Sequence, residues 1–97
     1  MIVFTLTMPN RGSWNGRWSQ EERLHAIVKC ERNVPKEVVG QDFFYTWDDG
    51  WTACVSVEKV DCKTAERMRK KSSGFCGYDW MVESIIEKGR IEKPQRG

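Results

Sequence analysis

The chain has 97 residues, of which 39% are hydrophobic and 31% charged. That describes one globular domain, large enough for a single core and too small for two. The formal net charge of +2 excludes a general affinity for DNA, which needs a strongly basic stripe, and no run approaches transmembrane length.

Four strand-like runs precede two helices. Ile2, Phe4, Leu6 and Met8 alternate with Val3, Thr5 and Thr7, the pattern of a half-buried strand, and Pro9 ends it. Leu24, Ala26, Val28 and Cys30 alternate with His25, Ile27, Lys29 and Glu31 in a second strand. Asn33 to Gly40 reads as a connection with one helical turn. The third strand runs from Asp42 to Trp47, with Phe43, Tyr45 and Trp47 on one face. Asp48-Asp49-Gly50 predicts a tight turn, because Gly accepts positive φ and Asp tolerates it. A fourth strand follows from Trp51 to about Val60, with Trp51, Ala53, Val55 and Val57 on one side. Trp47 and Trp51 then face each other across the hairpin.

Asp61 suits the N-cap of a helix reaching about Ser72, because its carboxylate accepts from orphan N–H groups of the first turn. That helix has a thin apolar stripe of Cys62, Ala65 and Met68. Tyr78, Met81, Val82, Ile85 and Ile86 fall at i, i+3, i+4, i+7 and i+8, the stripe of a second helix. Asp79 or a neighbour caps its start, and Gly89 suits the position just past its end. The tail Glu92–Gly97 has no apolar residue and reads as flexible, leaving 1–91 as the domain. The predicted fold is α+β, a four-stranded, mostly antiparallel sheet with two C-terminal helices packed on one face.

Charge is unevenly spread. Residues 40–58 carry Asp42, Asp48, Asp49 and Glu58 without a Lys or Arg, whereas Arg11, Arg17 and the run Arg67, Arg69, Lys70, Lys71 are basic. An anionic partner is expected near the basic parts. Ile2 to Met8 lacks the basic start and cleavage site of a signal peptide, so a reducing cytoplasm is expected. The cysteines Cys30, Cys54, Cys62 and Cys76 are widely spaced, without C-x-x-C, and His25 is the only histidine. Free, buried or partly buried thiols are therefore expected, with no metal site and no cofactor.

Pro9-Asn10-Arg11-Gly12-Ser13-Trp14-Asn15-Gly16-Arg17-Trp18-Ser19 holds the strongest functional signal. It contains two of the five Trp, two Arg and two Gly, and no aliphatic residue. Flat aromatic faces, planar guanidinium donors and close-approach glycines suit a planar anionic ligand. A competing reading makes Trp14 and Trp18 lids over the open sheet edge, with Arg11 and Arg17 solvated. A second segment, Lys70-Lys71-Ser72-Ser73-Gly74-Phe75-Cys76-Gly77-Tyr78, puts two bases before a small, hydroxyl-bearing, two-glycine turn that opens into a helix. Its plain alternative is a helix–helix connection with Phe75 plugging the core. No nucleophile elbow or acid–base pair is evident; Cys76, between glycines near a helix start and with His25 the only histidine to serve as base, is a weak candidate.

The phrases Met8-Pro9-Asn10, Gly12-Ser13-Trp14-Asn15-Gly16, Asp49-Gly50-Trp51 and Gly74-Phe75-Cys76-Gly77-Tyr78-Asp79-Trp80-Met81 resemble those of small phage-type proteins. That class includes anti-defence factors, so the resemblance implies an inhibitor of an immune effector or a sponge for a nucleotide immune signal. It transfers no functional residue.

The leading expectation is a non-enzymatic binder of a nucleotide-derived small molecule, with a cyclic nucleotide immune signal as candidate. Trp14 and Trp18 would stack on the base, while Arg11, Arg17, Lys70 and Lys71 neutralise phosphate. Ser13, Asn15, Ser72 and Ser73 would read base edges or ribose hydroxyls. So small a domain has little depth for a cavity, which favours a homo-oligomer with the site between protomers. The alternatives are an inhibitor of a host protein acting through the acidic hairpin, and single-stranded nucleic-acid binding with steep salt dependence. No membrane partner is expected.

Overall fold

The computed structural model describes residues 1–7, 25–48, 50, 52–72, 74, 75 and 77–93. Strands β1 (Ile2–Thr7), β2 (His25–Lys29), β3 (Asp42–Thr46) and β4 (Thr52–Lys59) form one antiparallel sheet in the order β2-β1-β4-β3. Helices α1 (Cys62–Lys71) and α2 (Asp79–Lys88) follow. The architecture is α+β, as the alternation and the C-terminal stripes predict.

Phe4 pairs with Ile27 on one side and Val57 on the other, and Phe43 pairs with Val55. Side chains alternate across a strand, so this register puts Ile2, Phe4 and Leu6 on the same face as Ala53, Val55 and Val57. All six belong to the main core, where Met81, Val82 and Ile85 of α2 cover them together with Phe75, Val34 and Val38.

The two helices do not share a face. Val3 and Ala26 point away from the main core and are also buried, against Ala65 of α1, with Met1, Val28, Val60 and Met68 packed around them. β1 is thus apolar on both sides at Ile2, Val3 and Phe4, and its second side needs its own cover. Because that strip is small, the narrow stripe of α1 suffices. Ala65 and Met68 supply it, whereas Cys62, expected in the same stripe, is exposed.

Between the helices the chain crosses from one face to the other around the edge of β2. The Ser72 hydroxyl accepts from the Ala26 N–H at 2.7 Å and donates to the Ala26 carbonyl at 2.6 Å. Gly74, at φ 69°, makes the bend in the left-handed region that side chains disfavour. Phe75 is then completely buried in the main core, the plug that the plainer reading of this segment expects.

The connection from β2 to β3 contains two short 3₁₀ turns, Glu31–Asn33 and Lys36–Val38, rather than one helical turn. Val39 at φ −71°, ψ 131° and Gly40 at φ 84° form a type II turn, which the Gln41 N–H closes onto the Val38 carbonyl at 3.3 Å. Gly40 and Gln41 both oppose Val57: the Gly40 N–H donates to its carbonyl at 2.7 Å and its N–H donates to the Gln41 carbonyl at 3.0 Å. This glycine bulge sets the register of β3.

Asp61 caps α1 as expected, its carboxylate accepting from the Thr64 N–H at 2.8 Å. Asp79 does not cap α2. Tyr78 holds the N-cap position without a side-chain bond, and Asp79 is the first helical residue, where it complements only the helix dipole. Gly89 ends α2 in left-handed conformation, its N–H bonded to the Ile85 carbonyl at 2.9 Å. Buried Ser84 donates to the Arg90 carbonyl at 2.7 Å and accepts from the Glu92 N–H at 2.8 Å. Glu92, expected to open a flexible tail, is therefore tied to α2; residues 94–97 lie outside the described residues.

Phe75→Ala is expected to cost about 3–5 kcal/mol, the range for a large aromatic removed from a core, read from urea or thermal unfolding. The Asp61 carboxyl sits below its usual range because it accepts hydrogen bonds from Thr64. A lowered folded-state value stabilises above the ordinary aspartate range and is lost as pH falls through the lowered value. Asp61→Asn keeps an acceptor without titrating, so its urea midpoint should fall less steeply in acid than that of the parent.

Candidate functional site

Arg11, Ser13, Trp14, Asn15, Arg17, Trp18 and Ser73 lie outside the described residues. All but Ser73 belong to a segment bounded by Thr7 at the end of β1 and His25 at the start of β2. Leu6 pairs with His25, so the chain of residues 8–24 leaves and rejoins the sheet between neighbouring strands at one end.

The second sequence-predicted segment arrives at the same place. Ser72 bonds to Ala26, one residue into β2, and the Nδ1 of His25 lies 3.3 Å from the Gly74 carbonyl. Lys70 and Lys71 are exposed in the last turn of α1 beside Arg69. Two segments about fifty residues apart in sequence thus share an attachment point.

Their side chains are not equivalent there. Ser72 also accepts from the Gly74 N–H at 3.0 Å, so its single donor and both acceptor positions are occupied. It positions the segment, its hydroxyl engaged with the backbone of Ala26 and Gly74. Lys70 and Lys71 stand at a helix C-terminus, where cations offset the negative end of the dipole. Part of their positive potential is spent on the helix itself, so an anion site here needs further cations.

The β3–β4 hairpin lies at the same end of the sheet, since Thr7 pairs with Cys54 and Thr46 with Thr52. Its turn closes through the Gly50 N–H to the Trp47 carbonyl at 2.9 Å; the expected facing of Trp47 and Trp51 lies outside the described residues, because Trp51 does. Tyr45 and Trp47 meet edge to face at 5.0 Å, Tyr45 and Trp80 at 5.3 Å, and Trp47 and Tyr78 at 5.6 Å. All four rings are half-buried; Tyr45 and Trp47 belong to the acidic hairpin of the alternative reading, whereas their contacts with Tyr78 and Trp80 are not expected from sequence. The only sequence signal for those contacts is that Tyr78 and Trp80 flank the start of α2 while Tyr45 and Trp47 end β3.

Cys30 and Cys62 are exposed free thiols, more open than expected, and Cys54 is half-buried. Burial first, and then the nearby Asp42 carboxylate, push the Cys54 thiol up, against a hydrogen bond with Ser56. Cys54 is therefore a protonated, poorly nucleophilic thiol near neutrality. Cys76 lies outside the described residues. Among the described residues, no group of three or more His, Cys, Asp or Glu is placed to hold a metal ion, and no helix is long and apolar enough to cross a membrane.

No protein-family model, curated protein or solved structure matches this chain.

Ser72→Ala leaves the Ala26 N–H and carbonyl without their side-chain partner. A loss of about 1–2 kcal/mol is expected, typical of orphaning partly buried backbone groups. Faster hydrogen exchange at the Ala26 amide, resolved by NMR, would locate the loss at this junction.

Proposed function

We propose that the protein is a non-enzymatic binder of a nucleotide-derived anion, held where residues 8–24 and the end of α1 meet. A cyclic nucleotide immune signal, sequestered by a phage anti-defence protein, is the candidate within that class. One observation carries the reading: Ser72 fixes the basic end of α1 to Ala26, beside the point where the Trp- and Arg-bearing segment rejoins the sheet. Stacking on Trp14 and Trp18 contributes about 1–3 kcal/mol per base. Arg11 and Arg17 add charge-assisted phosphate bonds, with Ser13, Asn15 and Ser73 left to read polar edges. These arginines are the further cations that Lys70 and Lys71 need at a helix C-terminus. A second copy of the chain completes the site, because one domain this small offers little depth.

Calorimetric titration of folded protein against cyclic and linear nucleotides tests the proposal directly. Binding of at least one is expected, and absence of heat for every one would refute it. Arg17→Ala and the pair Lys70→Ala, Lys71→Ala should each weaken binding by about tenfold or more with melting temperature nearly unchanged. Trp14→Ala should do the same if Trp14 stacks on ligand. If it covers the core instead, its melting temperature falls by roughly ten degrees or more.

A further inference from the structure

The two outer strands of the sheet end differently. At β2, the N–H and carbonyl of Ala26 point away from β1, and Ser72 takes both. At β3, the bulge fixes the directions. Gln41 turns its carbonyl toward Val57, and backbone direction alternates along a strand. Phe43 and Tyr45 therefore exchange their bonds with Val55 and Ala53 of β4, while Asp42, Phe44 and Thr46 aim theirs outward. The 2.9 Å contact between the Thr46 and Thr52 hydroxyls agrees, because side chains approach most closely at pairs that exchange no backbone bonds. Among the described residues nothing bonds to those outward groups.

Phe44 stands at the middle of this edge and is 63% exposed, the one large hydrophobic side chain so placed among the described residues. From Glu37 to Glu58 the chain carries Glu37, Asp42, Asp48, Asp49 and Glu58 without a single Lys or Arg. An edge unpaired among the described residues, with an exposed aromatic residue on it, is a template for one more strand. A second copy of β3 is the wrong strand. Antiparallel pairing about Phe44 would lay two base-free acidic stretches side by side, and like charges brought together across an interface are costly.

We infer that the outer edge of β3 receives an extended, Lys- or Arg-bearing strand of a partner protein, paired through the main chain at Asp42, Phe44 and Thr46. Main-chain bonds supply affinity, Phe44 packs on an apolar side chain of the added strand, and Asp42 and Asp48, both exposed, meet its cations. The surface lies on the edge opposite β2, so it stands or falls separately from the anion site.

The experiment titrates isotopically labelled protein with a synthetic peptide alternating Lys and Val, its Glu-for-Lys counterpart, and a Lys peptide N-methylated at alternate residues. The Lys peptide should bind with amide shifts centred on Asp42, Phe44 and Thr46. The Glu and N-methylated peptides should bind at least about tenfold more weakly, the former through charge and the latter through lost main-chain donors. Asp42→Lys should reverse the preference between Lys and Glu peptides, an outcome that simple destabilisation does not produce. Phe44→Thr, a conservative strand substitution, should weaken both. Absence of binding, shifts centred away from β3, or indifference to N-methylation would overturn the proposal. So would a concentration-dependent dimer in sedimentation that occupies β3 and excludes the peptide.

Discussion

The architecture depends on one constraint: β1 is apolar on both sides, so the sheet must be covered twice, and the described residues supply two α-helices to do it. One helix goes to each face, and the connection between them has to pass a strand edge. Ser72 and Gly74 perform that passage. The serine hydroxyl takes the place of a neighbouring strand at Ala26, and the glycine turns the chain under the sheet so that Phe75 enters the main core. The same few residues satisfy an exposed backbone pair, reverse the path and fill the interior.

This solution divides the molecule by charge. The edge closed by Ser72 adjoins the basic end of α1, whereas the opposite edge carries a stretch without a positive side chain. Cations at the end of α1 are locally favourable because of the helix dipole, and acids beside an exposed strand oppose pairing with a like edge. Each charge placement therefore has a local role as well as a part in recognition. The Cys54 thiol, pushed up first by burial and then by the Asp42 carboxylate, feels that acidic side as a secondary influence.

What was legible in the sequence followed period and capping chemistry. Alternation located all four strands, the i, i+3, i+4 stripe located α2, and Asp61 and Gly89 marked helix ends by the bonds that their positions require. The face occupied by α1 was not legible, because a stripe of two small contacts does not say which side of a sheet it meets. The start of α2 was legible to within a residue, as Asp79 or a neighbour: an acid suits both the N-cap and the first turn, and backbone geometry assigns the N-cap to Tyr78. The role of Ser72 was hidden because a hydroxyl in a glycine-rich turn suggests a ligand as readily as a distant strand. The aromatic group at the hairpin joins residues more than thirty positions apart, which no local pattern reports. Of the candidate site, Lys70, Lys71 and Ser72 are described; its arginines and its rings are carried by residues 8–24.

The strand order has a consequence for how the protein is made. β1 sits between β2 and β4, and Ile2 pairs with Lys59. During synthesis β1 emerges before both of its neighbours, and β3 must follow β2 before β4, its second neighbour, exists. Such long-range pairing is slow to close, and until then the strand exposes two apolar sides. The β3–β4 hairpin, joined by a short turn, forms from local contacts and offers β1 a ready edge. Nascent chains stalled before β4 should therefore be the species most in need of a chaperone.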